Sequence, residues 1–383
     1  MKLLVTCCIV MVSFLPSRAV CENSQSEKEN NAYILTSPPL SRQQIILHVN
    51  LDSMQVTKFA TLPSGWLAFP PILNGNFLYG TLFKSDSLNK ISSQIYMLDT
   101  KTARFIPAYR FGQLNHEMEN KDGTASEASL LVGRLQQHLY GTCMIGGMNG
   151  GGTIFRFNVM THKLRVLHAF AGHDKVLKRK YGAYPTDGRL CRIGSQLYGT
   201  TAFGGRYGKG VIYTVTTDGS AYRVLHSFSS KQIFQSDIVY SGGLLIGDIA
   251  VRPRYKYFLF SMKLNGAGFH LVHSLSELGI PTMLFPSENT NTIILLNQAF
   301  KRGYSIIAYN TTTDKIIINH RFKRGEMLEG AVSRSNQDVL GVCYVHPLSS
   351  GFVYRLDHDN FTILANFIMK KGLMQIQGLN SKQ

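Results

Sequence analysis

The sequence predicts an all-β protein, a seven-bladed β-propeller of four-stranded antiparallel blades. Three observations predict it: two gapless copies of a 32-residue unit, weaker copies on both sides, and two terminal part-units that complete one another. A unit of this size cannot bury its apolar face alone, so tandem copies signal a ring or stack of β-meanders.

The clear copies are residues 139–170 (LYGTCMIGGMNGGGTIFRFNVMTHKLRVLHAF) and 197–228 (LYGTTAFGGRYGKGVIYTVTTDGSAYRVLHSF). They share LYGT, a GG doublet, a GxG, an aromatic-rich strand, a turn and RVLH before Ala or Ser and Phe. Short β-branched and aromatic runs alternate with polar residues, and turns carry Asp218-Gly219 and Asn265-Gly266, which is the pattern of hairpin-linked strands. No convincing amphipathic helix is visible.

Residues 123–228 resemble the bacterial GloVer (Gloeobacter/Verrucomicrobia-type) tandem repeat, on the motifs YP-x-DG, LYGTT-x-x-GG, G-x-G, a DG turn and VLHSF within Tyr184–Phe228. The resemblance implies a secreted or surface-anchored propeller-like array and carries no catalytic residue over. Beyond those units the chain follows the pattern more loosely. Tyr79, Tyr140, Tyr198, Ile246, Leu296 and Leu340 anchor successive units at intervals of 44 to 61 residues, one four-stranded blade with variable loops.

Ala32–Phe59 reads as the last three strands of a unit, and GLMQIQG (372–378) as a first strand with nothing after it. The expectation is that the C-terminal strand enters the N-terminal blade as its innermost strand and closes the ring, which leaves no open sheet edge.

Lys2, the apolar run Leu3–Leu15 and Ser17-Arg18-Ala19 have the form of a signal peptide cleaved after Ala19, too short to span a bilayer. The expected organisation is a signal peptide at 1–19, a disordered polar lead-in at 20–31 and a propeller at 32–383, secreted or periplasmic. Cleavage removes Lys2 and Arg18 and no acid, so the net charge of +17 falls by two to +15. A field of that size favours anionic partners.

Cys21, Cys143, Cys191 and Cys343 remain, without a CxxC pair or histidine spacing that would hold zinc. The blade assignment leaves Cys343 unpaired, whereas spacing does not fix the state of the other three. No cofactor or metal is implied. His168, His226, His273 and His320 recur in the last strands of different units, so they read as scaffold, hydrogen-bonded near the blade edge. The glycine-rich GGMNGGG (146–152) and GGRYGKG (204–210) lead into strands rather than a helix, so they read as hairpin loops and not phosphate cradles.

The basic residues are more informative. In a four-stranded blade the connections after the second and fourth strands open at one end, and the turns after the first and third at the other. Lys175, Lys178, Arg179, Lys180, Arg206, Lys209, Arg252, Arg254 and Lys256 fall at the first end, with Lys301/Arg302, Lys323/Arg324 and Lys370/Lys371. Asp52, Asp99, Asp218, Asp314, Asp357 and Asp359 fall at the other. Tyr181, Tyr184, Tyr207, Tyr255 and Tyr257 are interleaved with the charges.

The leading expectation is a non-enzymatic propeller that binds an anionic glycan, envelope surface or protein through this basic end. Export argues against nucleic acid, and no transmembrane segment is expected. The alternative is a polysaccharide lyase or hydrolase using the channel-rim carboxylates Asp187, Asp237 and Glu329, with Glu127 close by. No Ser-His-Asp order or GxSxG elbow accompanies them.

Overall fold

The computed structural model describes residues 31–37, 43–87, 90–126, 129–185, 189–286, 291–299, 303–333, 338–346, 350–357, 360–370 and 373–377. Among the described residues thirty strands form seven antiparallel sheets arranged as the blades of a propeller. The signal peptide, most of the lead-in and Cys21 lie outside the described residues.

Blade 1 is β1 (Asn31–Thr36), β2 (Ile45–Asn50) and β3 (Gln55–Thr61). Blade 2 is β4 (Leu67–Ala68), β5 (Ile72–Asn74), β6 (Phe77–Ser87), β7 (Lys90–Asp99) and β8 (Phe105–Arg110), with β4 and β5 sharing the inner edge of β6. Blade 3 is β9 (Leu131–Val132), β10 (His138–Cys143), β11 (Gly150–Asn158) and β12 (Leu164–Ala171). Blade 4 is β13 (Ala183–Pro185), β14 (Cys191–Ile193), β15 (Gln196–Phe203), β16 (Val211–Thr216) and β17 (Tyr222–Ser227). Blade 5 is β18 (Gln232–Ser241), β19 (Leu244–Val251), β20 (Lys256–Lys263) and β21 (His270–Ser274). Blade 6 is β22 (Ile280–Pro286), β23 (Thr292–Ala299), β24 (Gly303–Asn310) and β25 (Lys315–Arg321). Blade 7 is β26 (Glu326–Ser333), β27 (Asp338–Val345), β28 (Ser350–Asp357), β29 (Asn360–Lys370) and β30 (Leu373–Gln377).

A shared register defect shows that all seven blades are copies. Where the two outermost meander strands pair, the outer strand carries one extra residue between Ile46/Leu47, Ile95/Tyr96, Ile154/Phe155, Ile212/Tyr213, Leu259/Phe260, Ile306/Ile307 and Val353/Tyr354. Such a bulge bends a strand and re-aims the side chain beside it. The residue after each bulge is Ala60, Tyr109, His168, His226, His273, His320 or Ala365.

The first residue past the defect on the inner partner packs across the neighbouring strand. Tyr96, Phe155, Tyr213, Phe260 and Tyr354 lie opposite Gly80, Gly141, Gly199, Gly247 and Gly341. A Cβ on any of these glycines would collide with the facing ring. In blades 1 and 6 neither member has that form: Ile34 faces Leu47, and Leu295 faces Ile307. Glycine plus ring and aliphatic plus aliphatic fill comparable space, as close packing demands. The same register puts Ile294, not Leu296, at the position of the LYGT tyrosine.

The apolar cores lie between blades. Separate clusters join blades 2 and 3, 3 and 4, 4 and 5, 5 and 6, and 6 and 7, while one larger cluster joins 7, 1 and 2. That last cluster closes the ring, with Ile34, Leu47 and Val49 of blade 1 beside Leu340, Tyr344 and Phe367 of blade 7. A buried hydrogen bond between Thr36 Oγ1 and Tyr344 Oη (2.9 Å) crosses the same junction.

The mode of closure corrects the sequence expectation. β30 does not enter blade 1. It pairs with β29, Lys370 opposite Leu373 and Asn366 opposite Gln377, and forms the fifth, outermost strand of blade 7. Blade 1 keeps three strands among the described residues. A hairpin back onto β29 needs almost no loop closure, whereas joining blade 1 would order a long-range pairing.

A second correction is a short helix, α1 (Lys175–Tyr181), between blades 3 and 4. Asp174 caps it, accepting the N–H groups of Val176 (2.8 Å) and Leu177 (3.0 Å), and Gly182 ends it at φ 86° with its N–H on Lys178 O.

Candidate functional site

Hydrogen bonds tie the basic loops to one end of the ring. Gly205 N–H donates to Lys178 O (3.2 Å), which joins α1 to the glycine-rich loop of blade 4. Tyr222 donates its hydroxyl to Tyr181 O (2.5 Å). Arg252 N–H donates to Lys231 O (2.8 Å), so the blade 5 loop meets the connector between blades 4 and 5. Lys231, exposed there, belongs to the basic set although the sequence reading did not single it out.

Lys175, Arg179, Lys180, Arg206, Arg252, Arg254 and Lys256 are exposed. Lys178 is different. Its ammonium lies 4.8 Å from the Tyr184 ring centroid and 5.7 Å from that of Phe203, and burial lowers its pKa. Lys209 is likewise half-buried. Arg206 and Arg252 lie over Tyr207 (5.5 Å) and Tyr255 (5.6 Å), rings that are themselves 50% and 49% exposed. Val176 on α1 is 74% exposed. In these segments of blades 3 to 5 the one carboxylate is Asp174, already used as the helix cap. Glu117 and Glu277 stand in the connectors on either side. Lys323 and Arg324 are exposed at the same end near blade 7, and Lys370 ends β29. Lys301, Arg302 and Lys371 lie outside the described residues.

The acids at the other end serve turns. Asp99 accepts the N–H groups of Lys101 and Thr102 (both 2.8 Å); the Thr102 bond, then that of Lys101, lowers its pKa. Asp218 accepts from Ser220 N–H (3.0 Å), and the Thr216 hydroxyl together with Ser220 holds its carboxyl far below the usual range. Asp357 meets Arg355 at 3.3 Å. Asp359 lies outside the described residues.

At the inner strands Asp237 is buried and engaged. It accepts Arg189 N–H (3.1 Å) and faces the same residue's guanidinium at 3.7 Å. Arg189 also donates to Leu284 O (2.8 Å) and lies 5.3 Å from the Phe285 ring centroid. One arginine thus links blades 4, 5 and 6 at their inner strands, a role the sequence reading missed. Asp187 and Glu127 lie outside the described residues. Glu329 stands on β26 opposite Val342, and its side chain is also outside them. Asp248 was missed as well: it is fully buried on β19 where the clear copies have Thr142 and Thr200.

The recurrent histidines are scaffold, but by stacking rather than hydrogen bonding. His168 lies flat on Tyr222 of the next blade (3.8 Å, 5°), His226 on Phe269 (3.7 Å, 9°) and His320 on Phe361 (3.6 Å, 4°). His273 instead meets Asp314 at 3.1 Å, near Tyr309. The Nε2 atoms of His168 and His226 are buried without a hydrogen-bond partner. Burial pushes both rings' pKa down to about 4. Among the described residues no group of three or more His, Cys, Asp or Glu could hold a metal ion. Cys143 and Cys343 are free, and these two and Cys191 lie in three different blades. Among the described residues no helix is long and apolar enough to cross a membrane.

A ring of seven meander blades with its cores at the junctions defines the chain as a β-propeller. The family profile of the Gloeobacter/Verrucomicrobia repeat matches residues 70–251. No curated protein matches the sequence. Among solved structures the chain is similar to an oligogalacturonate lyase from Vibrio parahaemolyticus (TM-score 0.56, 10% identity, 86% of this chain and 87% of that one). An oligogalacturonate lyase in complex with manganese is similar at TM-score 0.53 and 10% identity, over 78% of this chain and 79% of that one. The β-propeller domain of the Trilobed protease from Pyrococcus furiosus, described as having an open velcro topology, reaches TM-score 0.54 at 10% identity over 91% and 98%. At such identities the likeness is one of fold.

Proposed function

We propose that the protein is an exported binding propeller whose basic end engages an anionic glycan, envelope surface or protein. The supporting observation is the run of exposed Lys and Arg from α1 through the loops of blades 4 and 5, with a single, already committed carboxylate among them. Each exposed charge contributes little alone, but a contiguous field concentrates anionic partners and speeds their capture. Tyr207, Tyr255 and Val176 at the same end add apolar contact area between the charges.

Retention of the mature protein on a heparin matrix tests the reading. Elution is expected between about 0.1 M and 1 M salt, as the screening length falls from about 10 Å to about 3 Å. Replacing Lys175, Arg179 and Lys180 with Gln is expected to lower the elution salt, whereas Lys178→Gln shifts it less because Tyr184 and Phe203 shelter that ammonium. An unchanged elution salt in the triple variant overturns the proposal. The alternative, a lyase or hydrolase using Asp187, Asp237 and Glu329, gains a concrete substrate to try from the two oligogalacturonate lyases of similar fold. New chain ends from polygalacturonate, lost in Asp187→Asn or Glu329→Gln, would favour it over binding alone.

A further inference from the structure

At its basic end the chain also exposes apolar side chains that its own packing does not use. Met148 and Val176 are each 74% exposed there, alongside Leu177, Tyr207 and Tyr255. The clearest case is α1. A short helix ordinarily owes its stability to an apolar face packed on its neighbours, yet α1 buries none of its residues. Its two caps hold it, together with the Gly205 N–H on Lys178 O. The half-buried Lys178 and Tyr181 mark its inward face. Val176 stands on the outward one, with Arg179 and Lys180 three and four residues along the same face.

Hydrogen bonds join these side chains along one edge of the ring. Gly172 N–H donates to Asn149 O (2.8 Å), which ties the Met148 turn to the connector that leads into α1. Lys178 O takes Gly205 N–H, Arg206 N–H donates to Ser227 Oγ (3.3 Å), and Arg252 N–H donates to Lys231 O, which carries the edge on to blade 5. We propose that this end docks on an anionic lipid bilayer, its cations on the headgroups and Met148, Val176 and Tyr207 entering the interface. The proposal rests on the reading of the basic end as a binding face and names its partner. Three observations favour a bilayer over a glycan or a protein. Met148, Val176 and Leu177 are aliphatic and offer sugar hydroxyls nothing to bond. One face of the Tyr207 and Tyr255 rings is taken by the guanidinium of Arg206 or Arg252, which leaves less of each ring for stacking on a sugar. The apolar residues are spread singly over three blades, whereas a protein partner takes a packed central cluster. Isolated apolar side chains and tyrosines set among Lys and Arg suit a fluid, negatively charged interface.

Flotation of the mature chain with phosphatidylcholine vesicles, pure or containing about one-third phosphatidylglycerol, tests this. Binding to the anionic vesicles and not to the neutral ones is expected. Met148→Ser/Val176→Ser keeps every charge and is expected to weaken that binding at least about tenfold, because two side chains of this size no longer leave water. Lys175→Gln/Arg179→Gln/Lys180→Gln is expected to weaken it roughly a hundredfold, at about fivefold per cation. Met160→Ser removes a similarly exposed methionine (79%) from the β11–β12 turn at the opposite end, and its binding is expected to match that of the native chain. All these positions lie outside the sheets, so the melting temperature is expected to stay constant. Heparin elution, measured in parallel, separates this proposal from the reading beneath it. Heparin has no apolar interior, so the charge variant should lose far more there than the apolar one. Retention on heparin without binding to anionic vesicles overturns the bilayer proposal and leaves a glycan at the basic end. Vesicle binding that survives Met148→Ser/Val176→Ser at native strength also overturns it. Failure on both vesicles and heparin overturns both readings. Equal binding to neutral vesicles, or an equal loss in Met160→Ser, overturns docking through this end.

Discussion

Acid should loosen this propeller at its blade junctions before it reaches the carboxylates. His168 and His226 hold neutral imidazoles against aromatic rings, each with Nε2 buried and unbonded. Their pKa in the folded chain is about 4, below the ordinary 6.5. The folded state therefore takes up these protons later than the unfolded one. The stabilisation is fully present above pH 6.5 and is lost as the pH falls from 6.5 toward 4. For His168 the full interval corresponds to about 3 kcal/mol at ~1.36 kcal/mol per pH unit. His226 is more exposed to solvent screening and contributes about half of that. A charged imidazolium lying on Tyr222 would recover about 0.5–1 kcal/mol by cation–π attraction, too little to reverse the sign. Together the two sites account for roughly 4 kcal/mol, a large share of the about 5–15 kcal/mol typical of a folded domain.

Urea unfolding at pH 8, 6, 5 and 4.5 measures this, with the double variant His168→Phe/His226→Phe as the comparison. Phenylalanine keeps the stack and removes the proton. Native stability is expected to fall steeply between pH 6.5 and 4.5, and the variant to lose about 3 kcal/mol less over the same range. Two curves of the same slope would refute the reasoning, and the loss would then belong to other groups such as His48 and His138, whose pKa values are also lowered by burial.

Three further outcomes follow from the packing. Gly199→Ala puts a methyl against the Tyr213 hydroxyl and is expected to cost about 1–3 kcal/mol, most of it restored by Tyr213→Leu, the residue type that Leu47 supplies in blade 1. The buried hydroxyls of Tyr213 and Tyr354 have no hydrogen-bond partner, and Phe155 and Phe260 hold the same place in blades 3 and 5. Tyr213→Phe and Tyr354→Phe are thus expected to stabilise by about 1 kcal/mol each by chemical denaturation, and a loss of stability would show a missed partner. A chain ending at Lys370 lacks β30, and with it Met374 and Ile376 at the edge of the seam core. It is expected to melt a few degrees lower in one cooperative transition, whereas collapse of the ring would mean that β30 closes it after all.

Much of this architecture was legible because the two clear copies fixed the phase of the repeat. The three strands of blade 1 and the loop placement of Arg206, Arg252 and Lys323 followed from that phase. The run IILLN of β23 carries neither glycine nor ring, so nothing local separated Ile294 from Leu296 as the anchor. The placement of β30 was misread because order in a repeat says which strand comes next, not whether a tight hairpin onto β29 forms first. The helix α1 spans seven residues, too few for an apolar period to show, although Asp174 and Gly182 mark its two ends. The histidines were visible as a recurrence, but their stacking partners lie in the following blade, about fifty residues on, where no local pattern reaches.

By turning one side chain per blade sideways, the bulge concentrates apolar and aromatic contacts at the junctions and leaves the loop ends free to vary. The loops of blades 3 to 5 can then collect charge without disturbing the cores. Neutralising Lys175, Arg179 and Lys180, which are exposed and lie outside the sheets, should therefore lower the heparin elution salt and leave the melting temperature unchanged. A fall in melting temperature beside the elution shift would mean that these side chains hold the blade 3–4 connector in place as well as carrying charge.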